Sequence, residues 1–250
     1  MSIVVNTNIA SMNAQRSLAA SGKDLQQAME RLSTGKKINS AADDAAGFAI
    51  AESMTAQVRG LNMSAKNAND ALGLLKVVEN ATNDVTDMLQ RVRELAVQAK
   101  NGTNSTSDIG NLQKEAEALM DEITRVSADT TYNGKKYIGA DSGNITIQTG
   151  YNDTNTLVIS TAKVDSISLG MVTDIAAVAD TDTANNTTGV NDAGEYLDIS
   201  SAAALATITT AIDTVAGYKA GWGASQNRLE YTVSNLMNVV EFTSAARSRI

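Results

Sequence analysis

A mainly α fold, an elongated antiparallel bundle of long coiled-coil helices with a small β-hairpin region, follows from three features of the 250-residue chain. Proline is absent and the outer thirds are rich in Ala, Leu, Met, Lys, Glu and Gln, as long uninterrupted helices require, because a proline ring breaks the hydrogen-bond ladder. Apolar residues in both outer regions recur in steps of three and four, the spacing of helix–helix seams. Between them the apolar period drops to two, the period of strands. With Phe 2, Tyr 6 and Trp 1, the core is aliphatic and thin.

The first 32 residues form an amphipathic unit in which Ile9, Met12, Leu18, Leu25, Met29 and Leu32 are spaced for a helix, with Asn8 placed to cap it. Nothing adjacent is placed to bury that stripe, and an isolated amphipathic helix is marginal in water, so the unit wants a partner. A second helix begins after Ser40 and Asp43, spaced as a capping box, with Asp44 adding charge at the positive end of the helix dipole. Ala51, Met54, Val58, Leu61, Ala65, Ala68, Leu72 and Leu75 hold one heptad frame, and Val78, Ala81, Val85, Met88, Val92, Leu95 and Ala99 resume it after a phase slip. This is one very long helix, or two with a soft joint between Leu75 and Val78, and Asn101-Gly102 ends it.

A third helix from about Ser107 carries Ile109, Leu112, Ala116, Leu119, Ile123 and Val126, and is short enough to fold back antiparallel. Residues 131 to 170 read as β-hairpins: an Asn133-Gly134 turn, alternation at Ile145 and Ile147 and at Leu157 and Ile159, and a turn around Asn152 to Asn155. A short polar, aperiodic loop occupies about 171–199. A fourth helix, led in by Ser200 and Ser201, places Leu205, Ile208, Ile212, Val215, Trp222, Leu229, Val233, Leu236 and Val240 on one frame. The implied division is a segment 1–40 and a helical body 41–250.

Composition excludes several functions. A formal net charge of -8 without a basic stripe argues against nucleic acid. No 18-residue apolar stretch is available to span a membrane, and the start has no cationic region before an apolar run, so no cleaved secretory signal is read; by this route alone the chain would stay in the cytoplasm. His 0 and Cys 0 exclude histidine metal sites, histidine triads, thiolate sites and disulfides. No cofactor is implied. An enzyme is disfavoured, because no nucleophile meets an oriented base. Asp43-Asp44 are better explained as helix-start groups than as a catalytic pair, and Lys36-Lys37 and Lys135-Lys136 as solvated turn charges. The sequons at Asn101, Asn104, Asn144, Asn152, Asn185 and Asn186 follow from an Asn/Thr-rich composition, and Trp222 reads as a bundle anchor.

VNTNIASMNAQRSL at 5–18, RLSTGKKINSAADDAAGFAIAESMTAQVRGLN at 31–62, NANDAL at 67–72, LQRVRELAVQAKNGTNS at 89–105, YNGKKYI at 132–138 and SAARSRI at 244–250 closely resemble bacterial flagellin. The resemblance covers about residues 1–160 and 222–250. It implies a structural subunit that self-assembles into the flagellar filament for motility, its two chain ends paired as an inner coiled coil with Ile9, Met12, Leu18, Leu25, Met29 and Leu32 as the assembly face. It implies export through the flagellar type III channel without a cleaved signal, hence an extracellular location, and as partners other flagellin subunits, an export chaperone and a cap protein. The alternative is the hook–filament junction protein of the same family, which LQRVRELAVQA and INSAADDAAG match less well.

Two departures from the family pattern stand out. Only about residues 171–199 occupy the place of the outer inserted domains, so none is expected. Family members also continue past SAARSRI into a helix that pairs with the N-terminal one, so the last helix reads as severed and residues 1–40 as missing their partner. In the family, the segment matching LQRVRELAVQA is recognised by the flagellin-sensing Toll-like receptor. The carried-over positions are Arg91, Leu95 and Gln98, at i, i+4 and i+7, with Glu115 on the following helix. Leu95 has a competing role as a core residue of the Val85–Ala99 heptad, whereas a rival frame of Leu89, Val92, Ala96 and Ala99 would leave it free.

Overall fold

The computed structural model describes residues 8–173 and 195–250. In chain order the elements are α1 (Ile9–Thr34), α2 (Ala45–Ala99), α3 (Thr106–Asp129), β1 (Asn144–Gln148), β2 (Thr156–Ser160), β3 (Val172–Thr173), β4 (Glu195–Tyr196) and α4 (Ala204–Arg249). The fold is mainly α with small antiparallel sheets. The chain divides into two compact units, Met1–Asn62 with Asn238–Ile250, and Met63–Met237, so that α2 and α4 each contribute to both.

In the first unit, the Asn8 carboxamide oxygen accepts the Ser11 N–H at 3.1 Å and starts α1, as expected of an N-cap. Gly35 ends it at φ 66, a left-handed position that a β-carbon would strain, with its N–H on the Arg31 carbonyl at 2.9 Å. None of the helix is buried. The turn that follows is organised by Asp43, whose carboxylate accepts the N–H groups of Asn39 and Ser40, each at 3.1 Å, and the Gln27 amide from α1. The Gln27 bond, then those from Asn39 and Ser40, hold the Asp43 carboxyl below its ordinary range.

The expected capping box of Ser40 and Asp43 does not form. Ser40 gives its hydroxyl to Asp43, and the cap of α2 is Asp44, whose Oδ1 accepts the N–H groups of Ala46 at 3.1 Å and Gly47 at 3.0 Å. A side chain directly before the first helical turn reaches the orphan donors, whereas Ser40, four residues earlier, is spent on the preceding turn. Gly47 is required by space, since a β-carbon there would lie 2.6 Å from both Ile38 Cδ1 and Asp44 Oδ2. Arg247 donates to the Thr55 hydroxyl at 3.2 Å in the same unit.

In the second unit α2 runs unbroken through Leu75–Val78, so the soft joint is absent. Two helices run antiparallel to it. α3 opens with a reciprocal capping box, Ser105 Oγ accepting the Asp108 N–H at 3.2 Å and Asp108 accepting the Ser105 N–H at 3.0 Å, and pairs back so that Tyr132, just past its end, donates to the Asp70 carbonyl at 3.1 Å. Along α4 the partners descend α2 in order: Lys100 with the Ala202 carbonyl, Asn83 with Lys219 at 2.6 Å, and Glu79 with Gln226 at 2.9 Å. Ser200, expected as a cap of α4, instead donates its hydroxyl to Asp198 at 2.7 Å.

With a helix on each of two sides, α2 buries both apolar frames: Val78, Val85, Val92 and Leu95 of one, and Leu89, Val92, Ala96 and Ala99 of the other. Ala116, Met120 and Ile123 of α3 and Ile208, Val215, Trp222 and Leu229 of α4 complete this core.

The hairpin region closes it. Asn133 and Gly134 form a two-residue turn in which Tyr132 and Lys135 exchange both backbone bonds, at 2.9 and 3.1 Å. β1 and β2 pair antiparallel with Ile145 opposite Ile159 and Ile147 opposite Leu157, and β2 turns Leu157 and Ile159 inward. β3 and β4 pair at Val172 and Tyr196, at the two ends of the stretch expected to be loop, whose residues 174–194 lie outside the described residues. Trp222, 3% exposed, joins helix to sheet: its indole N–H donates to the Ser160 carbonyl at 3.0 Å, and its ring stacks on Tyr218 with centroids 6.2 Å apart.

Trp222→Ala therefore lowers unfolding stability by about 3–5 kcal/mol. Trp222→Phe, which keeps apolar volume but leaves the Ser160 carbonyl unpaired, costs less, about 1–3 kcal/mol. Urea unfolding of the two variants checks the order.

Candidate functional site

The exposed face of α2 beside its packed seams carries the charged cluster that the LQRVRELAVQA segment predicts. Arg91 is half exposed and makes its shortest contact across to α3, with Nη2 at 2.7 Å and Nε at 3.0 Å from the same Glu115 oxygen, while Nη1 donates to Glu94 Oε2 at 3.1 Å. Three of the guanidinium's donors are thus fixed by two carboxylates. The Glu115 bond first, then the Glu94 bond, push the Arg91 pKa above its ordinary value.

Glu94 was absent from the sequence expectation. Its spacing of i+3 from Arg91 is the signal that would have found it. Gln98 lies two turns along the same stripe and is exposed, next to an open groove of about 610 Å³ that Gln98 lines with Gln90, Arg93, Glu94, Val97 and Ile212.

Leu95 does not join this surface. It is fully buried, as are Leu89, Val92 and Ala96, because the two frames that competed for the seam are both used. The core role of Leu95 is the one the structure shows. The other expected group, Ile9, Met12, Leu18, Leu25, Met29 and Leu32, lies on α1 with every member between 51% and 87% exposed.

The paired carboxylates Asp43 and Asp44 are occupied by backbone donors of the turn and the helix start, an arrangement that shapes the chain. Among the described residues no three of His, Cys, Asp or Glu gather as metal ligands, and no helix is long and apolar enough to cross a membrane.

The model of the bacterial flagellin N-terminal helical region matches residues 5–140. Flagellin of Bacillus subtilis is 38% identical over 261 residues, covering 98% of this chain and 86% of that protein. The chain belongs to the bacterial flagellin family. It spans about half the length of some longer relatives: flagellin 1 of Proteus mirabilis is 46% identical over 70% of this chain and 48% of its own length. The crystal structure of Bacillus cereus flagellin superposes with a TM-score of 0.52 at 26% identity, covering 68% of this chain and 88% of that one. A putative flagellar hook-associated protein from Vibrio parahaemolyticus reaches a TM-score of 0.62 at 13% identity, which shows a shared fold alone. Flagellins are a structural family, and the matched region contains α1, the Asp43–Asp44 turn and the Arg91–Glu115 face.

The burial difference separates two neighbouring flagellin positions by experiment. Leu95→Ala removes a fully buried side chain and lowers unfolding stability by about 2–5 kcal/mol. Arg91→Ala, whose partners are exposed ion pairs, leaves the urea midpoint nearly unchanged.

Proposed function

We propose that the chain is a structural subunit that self-assembles into the extracellular flagellar filament. The observation that carries this is α1: a helix capped at both ends, with six large apolar residues, none of them buried, of which Leu18, Leu25, Met29 and Leu32 share one face. A stripe of that kind lowers its free energy only by packing on another helix. Membership of the flagellin family supports a flagellin helix as that partner, with residues 1–40 as the inner assembly segment and 41–250 as the helical body. An export chaperone and a cap protein are the transient partners this role requires, and type III export without a cleaved signal is the route. In the hook–filament junction alternative the same stripe serves a different place: a deletion strain without filaments supports the subunit, and one that sheds intact filaments supports the junction protein.

The Arg91 face supports a second role, recognition of free subunits by the flagellin-sensing Toll-like receptor. Arg91, Gln98 and Glu115 present the contacts, Glu115 holds the Arg91 guanidinium in one orientation, and Leu95 anchors the helix from beneath. Preorganised arginine in a rigid stripe is the kind of group that dominates an interface.

Leu18→Asp with Leu25→Asp is expected to abolish polymer formation, seen by sedimentation and electron microscopy, while the circular dichroism of the body persists. Polymers of normal length would refute the α1 assembly role. Arg91→Ala and Gln98→Ala are each expected to weaken receptor binding by about tenfold or more, about 1.4 kcal/mol, with unchanged melting. Unchanged affinity in both would place the receptor face elsewhere.

A further inference from the structure

The chain contains two Asn-Gly pairs, Asn101-Gly102 and Asn133-Gly134, and all four residues are exposed. In such a pair the backbone nitrogen of glycine can attack the asparagine side-chain carbonyl, because no β-carbon on the second residue obstructs the approach. The attack requires the asparagine ψ angle to rotate until that nitrogen faces Cγ. What the backbone loses in that rotation decides whether it happens.

The two pairs differ in this respect. Asn133 and Gly134 have φ 50 and 77, the left-handed pair of a two-residue hairpin turn. Tyr132 and Lys135 close the turn with two backbone bonds, at 2.9 and 3.1 Å, and the Tyr132 hydroxyl is tied to the Asp70 carbonyl at 3.1 Å. Rotation at Asn133 breaks the hairpin. Asn101 lies outside the left-handed region, past the end of α2, and its carbonyl accepts one bond, from the Asn104 N–H at 3.1 Å. Among the described residues no hydrogen bond engages the Gly102 N–H, and a β-carbon built on Gly102 would meet nothing within 4 Å.

We infer that Asn101 is a site of spontaneous deamidation and that the hairpin protects Asn133. The Gly102 nitrogen bonds to Asn101 Cγ, the Cγ–Nδ2 bond breaks, and ammonia leaves with the proton that the Gly102 amide gives up. Water then opens the cyclic imide at one of its two carbonyls, giving aspartate or isoaspartate. Either product places a carboxylate just past the C-terminal end of α2, where the helix dipole is already negative. Isoaspartate also lengthens the main chain by one methylene in the turn that joins α2 to α3. Both changes fall three residues after Gln98, so the chain carries an age-dependent mark beside the Arg91–Gln98 face.

The test is incubation of the full chain at body temperature and mildly alkaline pH, followed by peptide mapping that resolves Asn, Asp and isoaspartate at both positions. In the native chain Asn101 is expected to convert at least about tenfold faster than Asn133, and in urea the two rates should converge, because the protection is the cost of opening the hairpin. Gly102→Ala should slow conversion at Asn101 strongly. Equal native rates, a native Asn101 that converts far more slowly than in urea, or conversion indifferent to Gly102→Ala would each overturn the inference.

Discussion

The second unit depends on one demand: its stretch of α2 must be buried along two sides at once, against α3 and against α4. A helix in a two-stranded seam needs one apolar frame, but a helix that packs on two antiparallel neighbours needs two adjacent frames, which together make a wider stripe. Small side chains make this possible. Ala68, Ala71, Ala81, Ala96 and Ala99 let the neighbouring backbones come close, and Leu75, Leu89 and Leu95 fill the spaces between them. The rest of the α2 surface is exposed, and Arg91, Glu94 and Gln98 stand on it. The inward position of Leu95 and the outward position of Arg91 are therefore one constraint seen from two sides.

A core so poor in aromatic residues is held together by side chains that bond to backbone. Gln113 of α3 accepts the Ile199 N–H at 3.1 Å and donates to the Leu197 carbonyl at 3.1 Å, so one carboxamide serves as a missing strand partner where the chain enters α4. Ser127 donates to the Ile138 carbonyl, and Gly139 is needed beside it because a β-carbon would come within 2.7 Å of the Ser127 carbonyl oxygen. Trp222 does the same for the β1–β2 hairpin. These bonds set the register in which aliphatic residues of similar size, which discriminate poorly among themselves, come together. Tyr196 adds a surface member: its hydroxyl donates to Asp121, which with burial pushes its pKa up to about 12.

The four helices, the Asn133-Gly134 turn, the inward Leu157 and Ile159 and the α1 stripe were all legible from periodicity, because they depend on spacing along one element. Blocks such as RELAVQAKNGTNS made the family legible as well. Asp44 was placed correctly at the helix start, but its neighbours Ser40 and Asp43 were not. Capping is settled by which side chain reaches the first free N–H groups, and sequence spacing alone did not separate a helix cap from an Asp-centred turn.

By itself the sequence determined where the helices lie and which residues of each are apolar, since those follow from local propensity and period, but not whether α2 is one helix or two. Tertiary structure decided how many partners α2 has, and with it the competition between the Leu95 and Leu89 frames. It also decided that Glu115, twenty-four residues away, completes the Arg91 site, with Glu94 as its second carboxylate. A heptad states that a face is apolar. Which of two apolar faces is covered depends on the surface that other segments bring to it, and nothing local encodes that.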